Sequence, residues 1–310
     1  MKIKTAKDYK LLSNSVVTIG TFDGVHVGHK KIIKRLVKIA KKENLQAIVL
    51  TFFPHPRMVV QKDTDIKMLN TIDEKNKLME AEGIDHLVVK KFTKQFSRLT
   101  AQDYVSEVLV DTLHVKHIII GYDHHFGRNR TANINDLKAF GEIYDFKVTE
   151  ISAQEIDEVT VSSTKIRKAL LNGDVQTANL FLGYNFMLTG KVIKGKGLGK
   201  QLSYPTANIS IEETYKLIPK NGVYVVKTKI NKTTVFGMMN IGTNPTVDGK
   251  VQSIEVHFFN FNQDIYGKTL EIEILERLRD EQKFDSLEDL KNQLSKDLIN
   301  SKHYLKQNDA

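Results

Sequence analysis

The side chains best suited to handling phosphate are concentrated in Gly20-Thr21-Phe22-Asp23-Gly24-Val25-His26-Val27-Gly28-His29. His26 and His29 stand three apart, so at the start of a helix their imidazoles point the same way. Gly24 and Gly28 carry no side chain, which lets phosphate oxygens approach the backbone. The apolar run Val16-Val17-Thr18-Ile19 precedes this stretch and a helical pattern over Lys30 to Lys42 follows it. It therefore reads as strand, tight loop and helix start, the place where an open α/β sheet holds a phosphate. Three chemistries are compatible with the histidines. They donate hydrogen bonds to phosphate oxygens while charge develops on an attacked α-phosphorus, they ligate a transition metal, or they only cap the helix. The metal reading needs a third ligand, drawn from His55, His124 or His125, and no HExxH-like pattern supplies one. The first reading is the favoured one.

A second anion-binding pattern follows at Val161-Ser162-Ser163-Thr164-Lys165-Ile166-Arg167. Hydroxyls at a helix start are cap residues first of all. Three in a row with an arginine one turn on also form a clamp, in which Ser162, Ser163, Thr164 and Arg167 hold the β,γ-phosphates that leave. The chain has no cysteine, and no serine is paired with an evident base. A covalent enzyme intermediate is therefore unnecessary, and a bound nucleophile attacks ATP directly and in line.

The second half carries Gly195-Lys196-Gly197-Leu198-Gly199. This is not a dinucleotide fingerprint, because no helix follows and the glycine spacing is wrong. It is not a P-loop either, since Gly197 stands where serine or threonine is required. A flexible turn is the plain reading. The continuation Leu202-Ser203-Tyr204-Pro205-Thr206-Ala207-Asn208 adds a hydroxyl and an amide oxygen, which together with a glycine loop suit a Mg-nucleotide. Glu255 lies in the alternating run Ile254-Glu255-Val256-His257-Phe258. It is either a wet-face carboxylate or, beside Mg-ATP, a general base for a substrate hydroxyl.

The elements that must position these residues fall into two patterns. Up to about residue 183, apolar runs (Gln46 to Phe53, Asp85 to Lys91, His117 to Gly121, Phe146 to Ile151) alternate with helical segments. One helix opens at the capping-box spacing Thr71-Ile72-Asp73-Glu74, and another at Thr100 with Tyr104, Val105, Val108, Leu109 and Leu113. Such alternation predicts a doubly wound parallel sheet. From Met187 on, short alternating runs with a turn at Asn231-Lys232 predict an antiparallel barrel or sandwich. A helix from Ser286 to Leu305 closes it. The expected domains are 1–183 and 184–310.

At 310 residues, with 41% hydrophobic composition, both have material for a core. The absence of cysteine suits a reducing compartment. Neither a signal sequence nor a membrane-length apolar run is present, so a cytoplasmic location is expected, without a membrane partner. A net charge of +9 raises nucleic-acid binding. However, the basic residues after His29 lie opposite the apolar stripe Ile32, Ile33, Leu36, Val37 and Ala40, as on a solvated helix face, and no nucleic-acid-binding motif is found.

The glycine-histidine stretch together with Ser162 to Arg167 resembles the HxGH nucleotidyltransferases, and more narrowly the FMN adenylyltransferase module of bacterial FAD synthetases. Thr51-Phe52-Phe53-Pro54-His55-Pro56 and Gly121-Tyr122-Asp123-His124-His125-Phe126-Gly127 fit in order and spacing. The second half resembles bacterial riboflavin kinase. The matching pieces are Gly195 to Asn208, Gly222-Val223-Tyr224, Asn240 to Thr246, Glu255-Val256-His257, Tyr266-Gly267 and Leu278 to Phe284. The resemblance implies a nucleotidyltransferase domain, then a Greek-key barrel with a C-terminal helix. It also implies riboflavin phosphorylation to FMN followed by FMN adenylylation to FAD, with Mg²⁺, ATP, riboflavin and FMN as ligands. By position it gives His26, His29, Arg167 and Glu255 catalytic roles. In the first module it puts Gly20, Phe22, Asp23, Gly28, Ser162, Ser163 and Thr164 on ATP, and Pro54, His55, Pro56 and Asp123 on the flavin. In the second it puts Gly195, Gly197, Gly199, Thr206 and Asn208 on ATP, with Thr206 and Asn208 also on Mg²⁺, and Arg279 and Glu281 on the flavin. The alternative is one active adenylyltransferase joined to a flavin-binding, non-catalytic second domain.

Overall fold

The computed structural model describes residues 4–5, 13–61, 66–121, 124–152, 161–195, 199, 202–246 and 249–308. The chain divides into two compact units, Met1–Ser163 and Thr164–Ala310. The division falls ahead of the 183/184 boundary expected from sequence, because the two helices that follow Ser162 group with the second unit.

In the first unit the described strands are β1 (Lys4–Thr5), β2 (Ser15–Ile19), β3 (Gln46–Phe53), β4 (His86–Lys91), β5 (Val115–Gly121) and β6 (Lys147–Ile151). They form one parallel sheet in the order β1-β4-β3-β2-β5-β6. Successive residues serve opposite faces. Val17, Ile48, Leu50, Ile118 and Ile120 join one buried cluster, and Val16, Ala47, Val49 and Ile119 join the other. Both faces are therefore apolar and must be covered, as in a doubly wound sheet. Helix α1 (Val27–Glu43) buries Ile33, Leu36 and Ala40 and ends at Asn44 in the left-handed conformation. Helix α2 (Pro56–Val60) follows β3. Helix α3 (Ile72–Ala81) starts at Thr71 with the expected capping box: Thr71 accepts from the Glu74 N–H and Glu74 accepts from the Thr71 N–H. The helix capped by Thr100 begins as α4 (Ala101–Asp103) and widens into a π-helix over Tyr104–Val110, which the sequence did not indicate. Helix α5 (Ile134–Tyr144) precedes β6. Strand order reverses between β2 and β5, so the loops leaving their carboxyl ends flank the switch-point crevice where such sheets take ligands.

The second unit holds α6 (Ser163–Asn172) from Thr164 on, α7 (Val175–Leu182) and a closed six-stranded barrel. The barrel strands are β7 (Met187–Ile193), β8 (Ala207–Ser210), β9 (Gly222–Ile230), β10 (Thr233–Thr246), β11 (Gly249–Phe258) and β12 (Thr269–Arg279), in the order β10-β11-β8-β7-β12-β9. Asn231 and Lys232 form the β9–β10 turn with φ of 50° and 69°, the two-residue hairpin whose twist matches its strands. Leu270, Ile272 and Ile274 face inward. Helix α8 (Leu287–Gln307), capped by Ser286, closes the chain. No helix among the described residues is long and apolar enough to cross a membrane.

Candidate active sites

The glycine-histidine stretch leaves the carboxyl end of β2 and enters α1, as its pattern requires. His26 is the N-cap of α1, and its Nδ1 accepts the His29 N–H at 3.4 Å. The two imidazoles stack with centroids 3.6 Å apart and planes 19° from parallel. Because Nδ1 of His26 is an acceptor, the proton of the neutral ring resides on Nε2. Burial lowers the His26 pKa to about 4 against the opposing pull of Asp23. Burial, then His26, then Lys75 hold His29 well below the usual imidazole range. Both rings are neutral at pH 7, so what the pair offers an anion is N–H dipoles at a helix N-terminus rather than charge.

The loop between strand and helix is strained. Phe22 and Val25 hold φ of 45° and 36°, in the region that costs non-glycine residues about 1–2 kcal/mol each, and Gly24 sits at 88°. Such strain persists only where the surroundings over-determine it. The buried Asp23 carboxylate accepts the N–H groups of Leu69 at 2.9 Å and Asn70 at 3.4 Å. The Asp23 carbonyl accepts the Ser163 hydroxyl at 2.8 Å. The Thr21 carbonyl accepts Thr51 Oγ1 at 3.2 Å and Lys75 Nζ at 2.6 Å. The buried Phe22 ring lies 5.0 Å from His29. A side chain at Gly28 would press on the His26 ring at 3.3 Å, and one at Gly20 on the Phe22 ring at 3.0 Å. These two glycines therefore make room for the loop's own rings, while Asp23 and Phe22 shape the loop from below.

Beyond β3, His55 caps α2 by accepting the Arg57 N–H, with Pro56 in the first turn and Pro54 ahead of it. Beside them runs a chain of aromatic rings: Phe52–Phe96 at 5.8 Å, Phe96–Tyr104 at 6.0 Å, Tyr104–Phe126 at 5.8 Å and Phe126–His124 at 6.0 Å. The Tyr104 hydroxyl is buried without a hydrogen-bond partner among the described residues, and burial pushes its pKa up. Tyr104 otherwise packs in the core cluster of the sheet, at the head of the π-helix. Sequence periodicity had assigned Tyr104 to the core. Asp123, expected on the same side, lies outside the described residues.

In the second unit the sequence-distant candidates come together. Glu255 and Asn208 are direct cross-strand partners of the β11–β8 ladder, so their side chains share a face. Thr206 Oγ1 donates to Glu255 Oε2 at 3.0 Å. The glycine loop closes on the same residues: a side chain at Gly195 would collide with Asn208, and one at Gly199 with the Tyr204 carbonyl and Thr206. Gly197 lies outside the described residues. The His257 Nδ1–H donates to the Pro205 carbonyl at 2.9 Å, and the hydroxyls of Tyr204 and Ser295 are 3.0 Å apart. The result is a hydroxyl, an amide and a carboxylate on one patch of barrel wall. All three offer oxygen, the donor set a magnesium–phosphate complex prefers.

Two family models match the chain, FAD synthetase over residues 8–165 and riboflavin kinase over 182–305. Relatives that match over most of their own length are named for both activities. A bifunctional riboflavin kinase/FMN adenylyltransferase of Listeria monocytogenes is 41% identical over 286 residues, 92% of this chain and 90% of its own. The protein of the same name from Buchnera aphidicola is 40% identical over 93% and 92%, and that of Escherichia coli K12 is 34% identical over 93% and 92%. The chain belongs to the bifunctional riboflavin kinase/FMN adenylyltransferase family. A crystal structure of a Streptococcus pneumoniae protein named for macrolide efflux superposes with a TM-score of 0.86 at 34% identity, covering 97% of both chains. Its fold is thus the one described here.

Arg279 and Glu281, at and just beyond the end of β12, are positioned by hydrogen bonds within the second unit. Arg279 grips the buried Asp297 of α8 through Nε at 2.9 Å and a terminal nitrogen at 2.7 Å, and donates to the Asp280 carbonyl. Glu281 accepts the Thr243 N–H at 3.1 Å and the Asn221 amide at 3.0 Å. They tie the end of β12 to α8 and β10. In the first turns of α6, Thr164 is exposed and Arg167 half-buried.

Proposed function

We propose that the second unit transfers the γ-phosphoryl group of ATP to the terminal ribityl hydroxyl of riboflavin, and that the first transfers AMP from another ATP to the FMN phosphate. In the first reaction Glu255 takes the hydroxyl proton, the oxygen bonds to the γ-phosphorus, and ADP leaves. Thr206 and Asn208 would hold the divalent cation, best taken as Mg²⁺, which offsets phosphate charge. In the second, an FMN phosphate oxygen bonds to the α-phosphorus of ATP and the bond to the β-phosphate bridge breaks, releasing pyrophosphate. No proton is abstracted from FMN, so neutral donors suffice. His26 and His29 present N–H groups to the oxygens that gain charge in the transition state. Ser162, Ser163, Thr164 and Arg167 are assigned to the departing pyrophosphate. Pro54 to Pro56, Asp123, Tyr104 and Phe126 are assigned to the flavin of the first unit, and Arg279 and Glu281 to the flavin of the kinase. The catalytic modules divide at 183/184, and the cytoplasm, which holds ATP, is the proposed location.

The observation that carries two live activities rather than one is the Thr206–Glu255 hydrogen bond with Asn208 in register beside it. A merely flavin-binding barrel would have no use for a carboxylate and a hydroxyl converging on a glycine loop. Incubating the protein with riboflavin, ATP and Mg²⁺ and separating the flavins tests the proposal. FMN should form first and FAD after it, and FAD made only from supplied FMN would favour the single-activity alternative.

A further inference from the structure

Lys75 belongs to none of the motifs above. It is the fourth residue of α3, fixed one position beyond the capping-box glutamate, and only 2% of its surface is exposed. Burying an ammonium costs several kcal/mol unless its surroundings repay it. Among the described residues its Nζ donates a 2.6 Å hydrogen bond to the Thr21 carbonyl in the strained loop. The nearby Asp23 carboxylate supports the charged form, and burial opposes it strongly enough to bring the pKa down to about 8. Asp23 meanwhile accepts the N–H groups of Leu69 and Asn70, just ahead of α3. The loop is thus fastened to one helix start twice, by an anion pointing toward α3 and a cation pointing back. That cation also acts on His29 and favours its neutral state.

We propose that Lys75 is a positioning residue for adenylyl transfer, its buried ammonium pinning the Thr21 carbonyl so that the loop keeps the shape that presents His26 and His29 to the nucleotide. A lysine serves here because its long stem carries a donor from the first turn of α3 to the Thr21 carbonyl, and the nitrogen has no acceptor role to compete with it when charged. The inference rests on the adenylyltransferase reading of the first unit and extends it to a residue outside the phosphate-binding loop.

The test is Lys75→Met in the full-length chain, which keeps the stem and removes donor and charge. With FMN and ATP as substrates, kcat/KM for FAD formation should fall about ten-fold or more, since misplacement of reacting groups by even an ångström is that costly. Riboflavin phosphorylation by the same molecule should stay within about two-fold of the parent. The His29 imidazole, followed by NMR, should titrate at higher pH than in the parent. Lys75→Gln, which retains a donor and tolerates burial, should give the same His29 shift with a smaller loss of activity, and it serves if the methionine variant melts below the assay temperature. FAD formation within about two-fold of the parent in a folded variant, or a loss accompanied by an unmoved His29 titration, overturns the proposal. If the unmodified chain itself makes no FAD from FMN, the adenylyltransferase reading fails, and not the role of Lys75.

Discussion

Protonation of His26 should unfasten the first unit in acid. The ring is 6% exposed, caps α1 through Nδ1 and lies stacked on His29, so a second proton would break the cap and place a charge against a neighbouring imidazole. Its folded pKa of about 4 lies below the ordinary 6.5. The unfolded chain therefore binds more protons across this interval, and stability is full above about pH 6.5 and falls as pH drops toward 4. Between pH 7.5 and 5 the two pKa values give a loss of about 2 kcal/mol from this one group. Urea-dependent hydrogen exchange in the Val27–Glu43 segment reports the first unit without requiring the whole chain to unfold in one step. His26→Gln keeps an acceptor for the His29 N–H without a titrating ring, and it should remove most of that pH-dependent loss. Identical pH dependence in parent and variant would refute the assignment of a neutral, buried His26.

Three other outcomes follow from the geometry. Asp297→Asn leaves Arg279 without its counter-charge in a nearly buried pair, so the second unit should lose about 3 kcal/mol and melt roughly 6–12 °C lower by calorimetry. Tyr104→Phe removes a buried hydroxyl that has no partner among the described residues. It should stabilise the ligand-free first unit by about 1 kcal/mol in urea titrations while raising the KM for FMN in FAD formation. Lys232→Gly relieves a φ of 69° in the β9–β10 turn. Part of that gain is returned to the more flexible unfolded chain, leaving about 0.5 kcal/mol, visible as a small rise in the melting temperature of the second unit.

Local chemistry made much of this legible in the sequence. The glycine-histidine stretch between an apolar run and an amphipathic pattern reads as a strand-loop-helix, and Asn231-Lys232 between alternating runs reads as a two-residue turn. Thr71 and Glu74 announced α3 by their spacing alone. What stayed hidden depends on partners far apart in the chain. Asp23 reads as a loop acid facing a nucleotide, yet its carboxylate serves the backbone of Leu69 and Asn70, and nothing at position 23 points there. Lys75 reads as one more helix lysine until its reach to Thr21 is seen. Arg279 and Glu281 stand out as candidate ligand contacts, while their bonds to Asp297, Thr243 and Asn221 are invisible in the pattern. Tyr104 fits core periodicity so well that its unpartnered hydroxyl leaves no trace in the pattern. The helical residues from Thr164 to Leu182 follow the first sheet in sequence but belong to the second unit.

The central claim is that two separate phosphate sites on one chain act in sequence, and a pair of variants tests it most directly. In a single incubation with riboflavin, ATP and Mg²⁺, His29→Ala should accumulate FMN and make no FAD, whereas Glu255→Ala should leave riboflavin unphosphorylated yet convert added FMN to FAD. Loss of both reactions on either substitution, in chains whose folding is intact, would contradict the account.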